Sequence, residues 1–462
     1  MQTVEMQTIE KSSGLDSVIR SSGLDSVMTG TPYVSYSYAY PHKMAYRPFP
    51  EPLPLGRVWA DEPKDAVFLY LHVPFCEMRC GFCNLFTTAN PQSSLEGDYL
   101  DALTSQARAV RDEVGPVSVG RMAVGGGTPT YLDCAGLDRL FDLVGGVFGA
   151  DPQCAPTSVE TSPHTATPDR MRLLRGRGIH RVSMGVQSFI EAEVAAVGRG
   201  QKTALVERAL TSIREAGIPA LNIDLMYGLP GQTPDTWLAS LRSALSFQPE
   251  EVYVYPLYVR PLTGLDRTAR QWDDDRLGLY RLGRDFLVGA GYEQVSMRMF
   301  QRRQSGEEPK GAGPVYCCQE DGMIGLGCGA RSYTAGLHYS SEYAVGRTGV
   351  KAILADYVAR PAELFRYADH GTALDADEQR RRHVITSLLQ AEGLDLAAYR
   401  RRFGADADSD LPQLGELAPL GLAETVGGRL RLTESGLERS DAVGPWLYSG
   451  RMRHLAEVYE LR

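Results

Sequence analysis

The stretch AVFLYLHVPFCEMRCGFCNLFT, Ala66 to Thr87, joins an apolar run to a cysteine-rich loop. Ala66 to Val73 has the length and the aliphatic and aromatic content of a buried strand. After Pro74 come Cys76, Cys80 and Cys83, spaced C-x3-C-x2-C. Zinc sites close with four protein ligands at paired spacings, and no suitable Cys-x2-Cys or His pair follows. A [4Fe–4S] cluster takes one thiolate per iron, so three cysteines leave one iron open to another molecule. The competing reading is three buried cysteines packed as small hydrophobes. Three in eight residues, with Arg79 and Gly81 among them, count against it.

Outward from this loop a rhythm of apolar run, turn and amphipathic segment repeats. Strands are expected at AVFLYLHV, RMAVGG (Arg121–Gly126), TSVET (Thr157–Thr161), HRVSMGV (His180–Val186), ALNIDLMYG (Ala220–Gly228) and EVYVYPLYV (Glu251–Val259). Between them, a helix opening at Thr203 carries Leu205, Val206, Ala209, Leu210 and Ile213. Another has Thr233 as N-cap and Pro234 at its first position, with Trp237, Leu238, Leu241 and Leu245 on one face. Six such units predict a parallel sheet with helices outside, because parallel strands need crossovers. The fold class is α/β: an open, partial (β/α)6 barrel with its site at the strand C-terminal ends.

Around this barrel, at residues 66–365, three further segments are expected. Residues 1–30 hold a direct repeat, SSGLDSVI and SSGLDSVM, too short for a repeat fold and expected to be disordered, with Met28 an alternative start. Residues 31–65 form a Tyr/Pro-rich arm, YVSYSYAYPHKMAYRPFP, expected to lie over another surface. Residues 366–462 read as helices followed by a Gly-Gly hairpin, a winged-helix-like module.

Hydrophobic residues make up 43% of the 462 residues and charged residues 23%, enough apolar content for several cores. The net charge of −9 and the lack of a basic run argue against a nucleic-acid binder. No run of about eighteen apolar residues predicts a membrane span, and no secretory signal is read. Eight cysteines, three crowded in one loop, fit a reducing cytoplasm better than a disulfide scaffold.

C-x3-C-x2-C with an aromatic before the last cysteine resembles the signature of the radical S-adenosylmethionine (SAM) enzymes. YLHVPFCEMRCGFC is similar to the branch of oxygen-independent coproporphyrinogen III oxidases. So, in order, are GGGTPTYL, VETSPHTAT, HRVSMGVQSF, VGRGQ, NIDLMYGLPGQT, YPLYVRPLTGL and GLGCGARS. The resemblance implies Cys76, Cys80 and Cys83 as ligands of a [4Fe–4S] cluster. It implies Tyr70, Gly126 and Glu160 around a first SAM, and Phe82, Gly127, Thr128, Gln187, Arg199 and Asp224 near a second. One-electron cleavage of SAM to methionine and a 5′-deoxyadenosyl radical is the implied chemistry. It also implies a small-molecule substrate and an electron donor such as flavodoxin or ferredoxin, and leaves room for a partner biosynthetic enzyme. The residue chemistry is compatible: glycines admit close backbone approach, Glu160 and Asp224 accept hydrogen bonds, and Arg199 can fork onto a carboxylate. Each of these polar residues alone also has a purely structural reading. His72 reads as a core histidine or a neighbour of the cluster, with no catalytic role assigned.

Two departures shape the functional expectation. The oxidases carry a further cysteine where this chain has Leu85, and the haem-chaperone relatives carry a His-Asn motif where this chain reads VYCCQEDGMIGLGCGARSY, without histidine. The expected activity is therefore that of the class C radical SAM methyltransferases, which these residues resemble. It is transfer of a methyl or methylene group to an unsaturated carbon, giving C-methylation or cyclopropanation in natural-product biosynthesis. The alternatives are porphyrinogen oxidative decarboxylation and haem binding by a chaperone. Cys317 and Cys318 are weak catalytic candidates as proton or hydrogen-atom donors, against a reading as packed small residues.

Overall fold

A computed structural model of the protein describes residues 24–260, 262–265, 275–303 and 321–460. Its centre is six parallel strands: β1 (Val67–Val73), β2 (Val119–Gly126), β3 (Thr157–Thr161), β4 (Arg181–Gln187), β5 (Ala220–Tyr227) and β6 (Glu251–Pro256). They lie side by side in chain order. Every residue of β1 but Tyr70 is buried, as expected of a strand covered on both faces. Crossover helices α1 (Ser93–Val114), α2 (Cys134–Phe148), α3 (Pro168–Gly176), α4 (Thr203–Glu215) and α5 (Pro234–Ser246) supply the cover. On α4 the buried residues are Val206, Ala209, Leu210 and Ile213, one helical stripe. At the start of α5 the Thr233 hydroxyl accepts from Thr236 N, and the Trp237 indole donates to Leu279 O at 2.9 Å.

The sheet does not close. It runs on to thirteen strands, most of the additional ones short and antiparallel. Met323–Leu326 adds in parallel to β1, followed by Arg331–Tyr333, Leu337–Ser340 and Tyr367–Ala373. Met299–Arg302 adds to β6. The outermost strand beyond Tyr367–Ala373 is Arg47–Pro54, from the Tyr/Pro-rich arm. Its prolines at 48, 50, 52 and 54 are tolerated because an edge strand leaves one row of N–H groups unpaired.

The chain beyond the barrel forms a second core. Helix Ala376–Leu388 is capped by Asp375, and a three-stranded sheet orders Leu394–Asp395, Arg429–Leu432 and Ala423–Val426. The hairpin turns on Gly427 and Gly428 at φ of 60° and 77°, the backbone a two-residue turn requires. Val384, Leu388, Tyr399 and Leu432 pack here together with Leu24, Val27, Tyr38 and Tyr40. This corrects the expectation of disorder up to residue 30. Asp25–Thr29 is helical, and Leu24 and Val27, three apart, share one face of a turn that covers apolar surface. Residues 1–23, with the first repeat copy, lie outside the described residues. Cys154 is exposed in a turn. Among the described residues no helix is long and apolar enough to cross a membrane.

Candidate active site

The cysteine loop leaves the C-terminal end of β1 and is closed at its base. Phe75–Cys76 pairs in parallel with Thr88–Ala89; Thr88 N donates to Pro74 O at 2.7 Å and Asn90 N to Cys76 O at 2.9 Å. Its middle is pinned to two neighbouring strand-end loops: Gly81 N donates to Val197 O at 2.8 Å, and Leu265 N to Gly81 O at 2.9 Å. A Cβ at Gly81 would stand 2.7 Å from Val197 O, so glycine is required by this close approach.

The three sulfurs sense one another across a shared, enclosed space. Burial pushes the Cys76 thiol up to about 12, with the charges of Cys83, Glu77 and Cys80 adding to it and the Thr128 hydroxyl opposing. Burial, then the Cys80 charge, raises Cys83. The Thr128 hydroxyl donates to Cys76 Sγ at 3.6 Å, and Arg199 Nη1 to Cys80 Sγ at 3.2 Å. Gly127 backs Cys76, where a Cβ would lie 3.0 Å from the sulfur.

Among the described residues no three His, Cys, Asp or Glu side chains converge tightly enough for a single metal ion. A cubane has a different requirement, one thiolate at each of three separated irons. Three cysteines on one loop, near enough for their charges to act on one another and with Cys76 against side-chain-free Gly127, fit that requirement. Bound iron would also hold the buried thiols deprotonated.

Beside the loop, Glu160 on β3 accepts from Gly126 N at 3.1 Å. The carboxyl opens onto the barrel interior, where water reaches it, yet protein surrounds it; that enclosure, with the nearby Asp224 charge, pushes it up to about 7. Asp224 on β5 is likewise raised, to about 6, by burial against the pull of Asn222 and Arg181. Its oxygens accept from Asn222 Nδ2 at 2.7 Å and Ser183 Oγ at 3.4 Å. Below it Arg181 Nε donates to Glu251 Oε2 at 2.7 Å and Nη1 to Ser158 Oγ at 2.9 Å. This polar layer across β3 to β6 fixes where Asp224 stands.

Arg199, expected near a second SAM, is held among protein partners. Its guanidinium donates to Cys80 Sγ, to Gly185 O at 2.5 Å and to Gln201 Oε1 at 2.9 Å, so it braces the cysteine loop against β4 rather than facing a carboxylate. Gln187, the last residue of β4, has φ of 70°, a sparsely populated conformation for a residue with a side chain. Phe82 packs with Val197, Met226, Leu229, Leu257 and Leu265. Tyr70 on β1 lies 3.3 Å through its hydroxyl from His72 Nδ1.

His72 resolves as a locked support. Nε2 stands 3.0 Å from Phe86 O, which can only accept, so Nε2 carries the proton and Nδ1 accepts from Tyr70. Burial lowers its pKa to about 4, keeping it neutral. Cys328 is buried beneath α1 and the helix Arg347–Val358, with its N–H on the Tyr99 hydroxyl. Cys317 and Cys318 lie outside the described residues.

Sequence reasoning missed Lys43. The arm brings its Nζ to 3.4 Å from the centre of the Tyr343 ring, whose hydroxyl donates to Asn84 O. Burial, then Arg331, drives Lys43 well below the usual ammonium range, while the Cys83 sulfur pulls it back. No local signal marks it, because its neighbours come from residues 83 and 343.

Comparison with known proteins agrees with this geometry. The Radical SAM superfamily matches residues 70–244 and the HemN C-terminal domain matches residues 374–438. The chain is 28% identical over 375 residues to the heme chaperone HemW of Bacillus subtilis (strain 168), covering 79% of this chain and 95% of that protein. It is 29% identical over 395 residues to the oxygen-independent coproporphyrinogen III oxidase of Escherichia coli (strain K12), covering 81% and 83%. The solved coproporphyrinogen III oxidase (HemN) of Escherichia coli superimposes with a TM-score of 0.70 at 26% identity, covering 88% of this chain and 93% of that one.

A parallel barrel with a three-cysteine loop at its mouth is thus a radical SAM enzyme, and the chain belongs to that superfamily. Within it, the chain belongs to the branch of the oxygen-independent coproporphyrinogen III oxidases and the haem chaperone HemW. That membership implies a [4Fe–4S] cluster and SAM.

Proposed function

We propose that this chain oxidises a reduced, carboxylate-bearing tetrapyrrole-like substrate, in the manner named for its coproporphyrinogen III oxidase relatives. The carrying observation is the extent of the likeness to the solved oxidase, which covers 88% of this chain. When bound, the cluster and SAM supply a carbon-centred radical that abstracts hydrogen. Cys76, Cys80 and Cys83 would hold the cluster, with Arg199 and Thr128 donating to two of the sulfurs. Glu160, anchored on Gly126 N, offers a carboxylate to SAM, and Gly125 to Gly127 let the ligand approach backbone. Asp224, Gln187 and Phe82, at or beside the strand ends, would face a second SAM or the substrate. A cytoplasmic setting belongs to the same proposal.

Methyl or methylene transfer to an unsaturated carbon is the second reading. Leu85, 49% exposed, stands where the oxidases carry a cysteine, and this favours it. One anaerobic experiment separates the two: reconstituted, reduced protein with SAM, plus coproporphyrinogen III or an alkene. Porphyrinogen loss with carbon dioxide and 5′-deoxyadenosine supports oxidation. S-adenosylhomocysteine rising with 5′-deoxyadenosine in the presence of an alkene supports transfer. Deoxyadenosine with unconsumed porphyrinogen overturns the first reading.

A further inference from the structure

On the outer side of the cysteine loop lies a recess of about 180 Å³ lined by Arg79, Thr87, Thr88, Asn90, Arg347 and Lys351. With Ala89 the lining is seven residues, three of them cations, on a chain whose net charge is −9. Arg347 and Lys351 are exposed and four residues apart on helix Arg347–Val358, so they share one face. Arg79 is steadied by a bond to Val345 O. Among the described residues none of the three is ion-paired to a carboxylate. The recess is also joined to the site: its wall Thr88–Ala89 is the strand paired with Phe75–Cys76, and Asn90 N bonds Cys76 O at 2.9 Å. Arg79 itself stands between Cys76 and Cys80. Leu85, large, apolar and 49% exposed, follows Cys83 by two residues.

We propose that this recess is the docking site of an acidic one-electron donor protein of the flavodoxin or ferredoxin type. The inference rests on the radical SAM assignment and not on which substrate is oxidised. The reduced donor loses one electron and the chain's cluster gains it, with no proton transferred and no bond formed between the proteins. Charge complementarity selects the partner. At physiological salt the screening length is about 8 Å, so an acidic donor senses the local cations and not the distant net charge. A small basic patch suits the small, transient interfaces of electron transfer. The single hydrogen-bonded strand pair from wall to Cys76 gives the electron a short covalent and hydrogen-bonded route.

The test uses the reconstituted full chain and the double variant Arg347→Glu/Lys351→Glu, driven either by reduced flavodoxin or by dithionite. The expected result is a loss of about tenfold or more in the flavodoxin-driven rate of 5′-deoxyadenosine formation, with the dithionite-driven rate unchanged. Titration of oxidised flavodoxin should show binding to the wild type that weakens by a similar factor in the variant. In the wild type, raising salt from about 50 to 300 mM should depress the flavodoxin-driven rate relative to the dithionite-driven one. A salt-insensitive ratio overturns the proposal even if the variant misfolds. Flavodoxin binding and turnover unchanged in the variant overturn it as well. Absence of SAM cleavage with dithionite in the wild type would instead count against radical SAM activity itself.

Discussion

Gly127→Ala separates folding from cluster binding. A Cβ at this position would lie 2.5 Å from Phe75 O and 3.0 Å from Cys76 Sγ. The peptide cannot rotate away, because Gly127 N is bonded to Val73 O at 2.8 Å and Thr128 N to Phe75 O at 2.7 Å. Relief must come from the Phe75–Cys76 segment moving outward by roughly 0.5–1 Å, since an ordinary carbon–oxygen contact is about 3.3 Å. Overpacking of this kind costs about 1–3 kcal/mol, which a chain with two cores tolerates. A metal site, however, needs ligand distances within about 0.2 Å. The expected outcome is an unchanged circular dichroism spectrum, a melting temperature lower by a few degrees, and iron and sulfide content after anaerobic reconstitution reduced several-fold. Gly125→Ala is the contrast. There a Cβ meets only the Glu160 carboxylate, at 2.9 Å, a flexible side-chain end. Cluster content should stay normal while SAM binding weakens. Wild-type iron content and SAM cleavage in Gly127→Ala would refute the reasoning.

Three further outcomes are expected. Asp441→Asn should destabilise the protein by about 3–5 kcal/mol in urea unfolding, because Arg298, 3% exposed, would keep a buried charge without its anion. Stacking of Arg298 on Tyr36 and Tyr38 offsets part of this, and replacing both partners with apolar residues should recover most of the loss. Acidification from pH 8 to pH 5.5 should weaken SAM binding, since Glu160 and Asp224, raised to about 7 and about 6, lose the charge that a cationic ligand needs. For the ligand-free protein the sign is opposite. Both folded-state pKa values lie above the ordinary carboxylate range, so their contribution to stability is present at low pH and lost as pH rises through about 6 to 7. Calorimetric titration and thermal melts across this range, with Glu160→Gln as control, check both signs; parallel pH trends would contradict the assignment.

All six barrel strands were legible in the sequence, most of them as the apolar runs that strands covered on both faces leave. The flanking strands were not. Arg331–Tyr333 and Leu337–Ser340 are three and four residues long, too short to show a period. Arg47–Pro54 holds four prolines, which speak against a strand except at an edge, and an edge is a property of the assembled sheet. The cysteine loop declared itself through spacing alone. Arg181 and Glu251 did not, because a charged residue in a strand reads as solvent-facing until its partner 70 residues on is known. The contacts of Arg199 were hidden for a related reason: its partners Cys80 and Gly185 are set by how distant parts of the chain meet.

The arm binds an early-made part of the chain to one made much later. Arg47–Pro54 pairs with Tyr367–Ala373, and Leu24 and Val27 are buried with Leu447 and Met452. At synthesis rates of about 5–20 residues per second, the edge partner emerges roughly 15–65 s after the arm does. The barrel strands and the cysteine loop are complete well before that. For this interval the arm that carries Lys43, whose ammonium the Cys83 sulfur draws on, has no edge to pair with. A nascent chain therefore passes through a window in which the cysteine loop is made before the arm beside it is fixed.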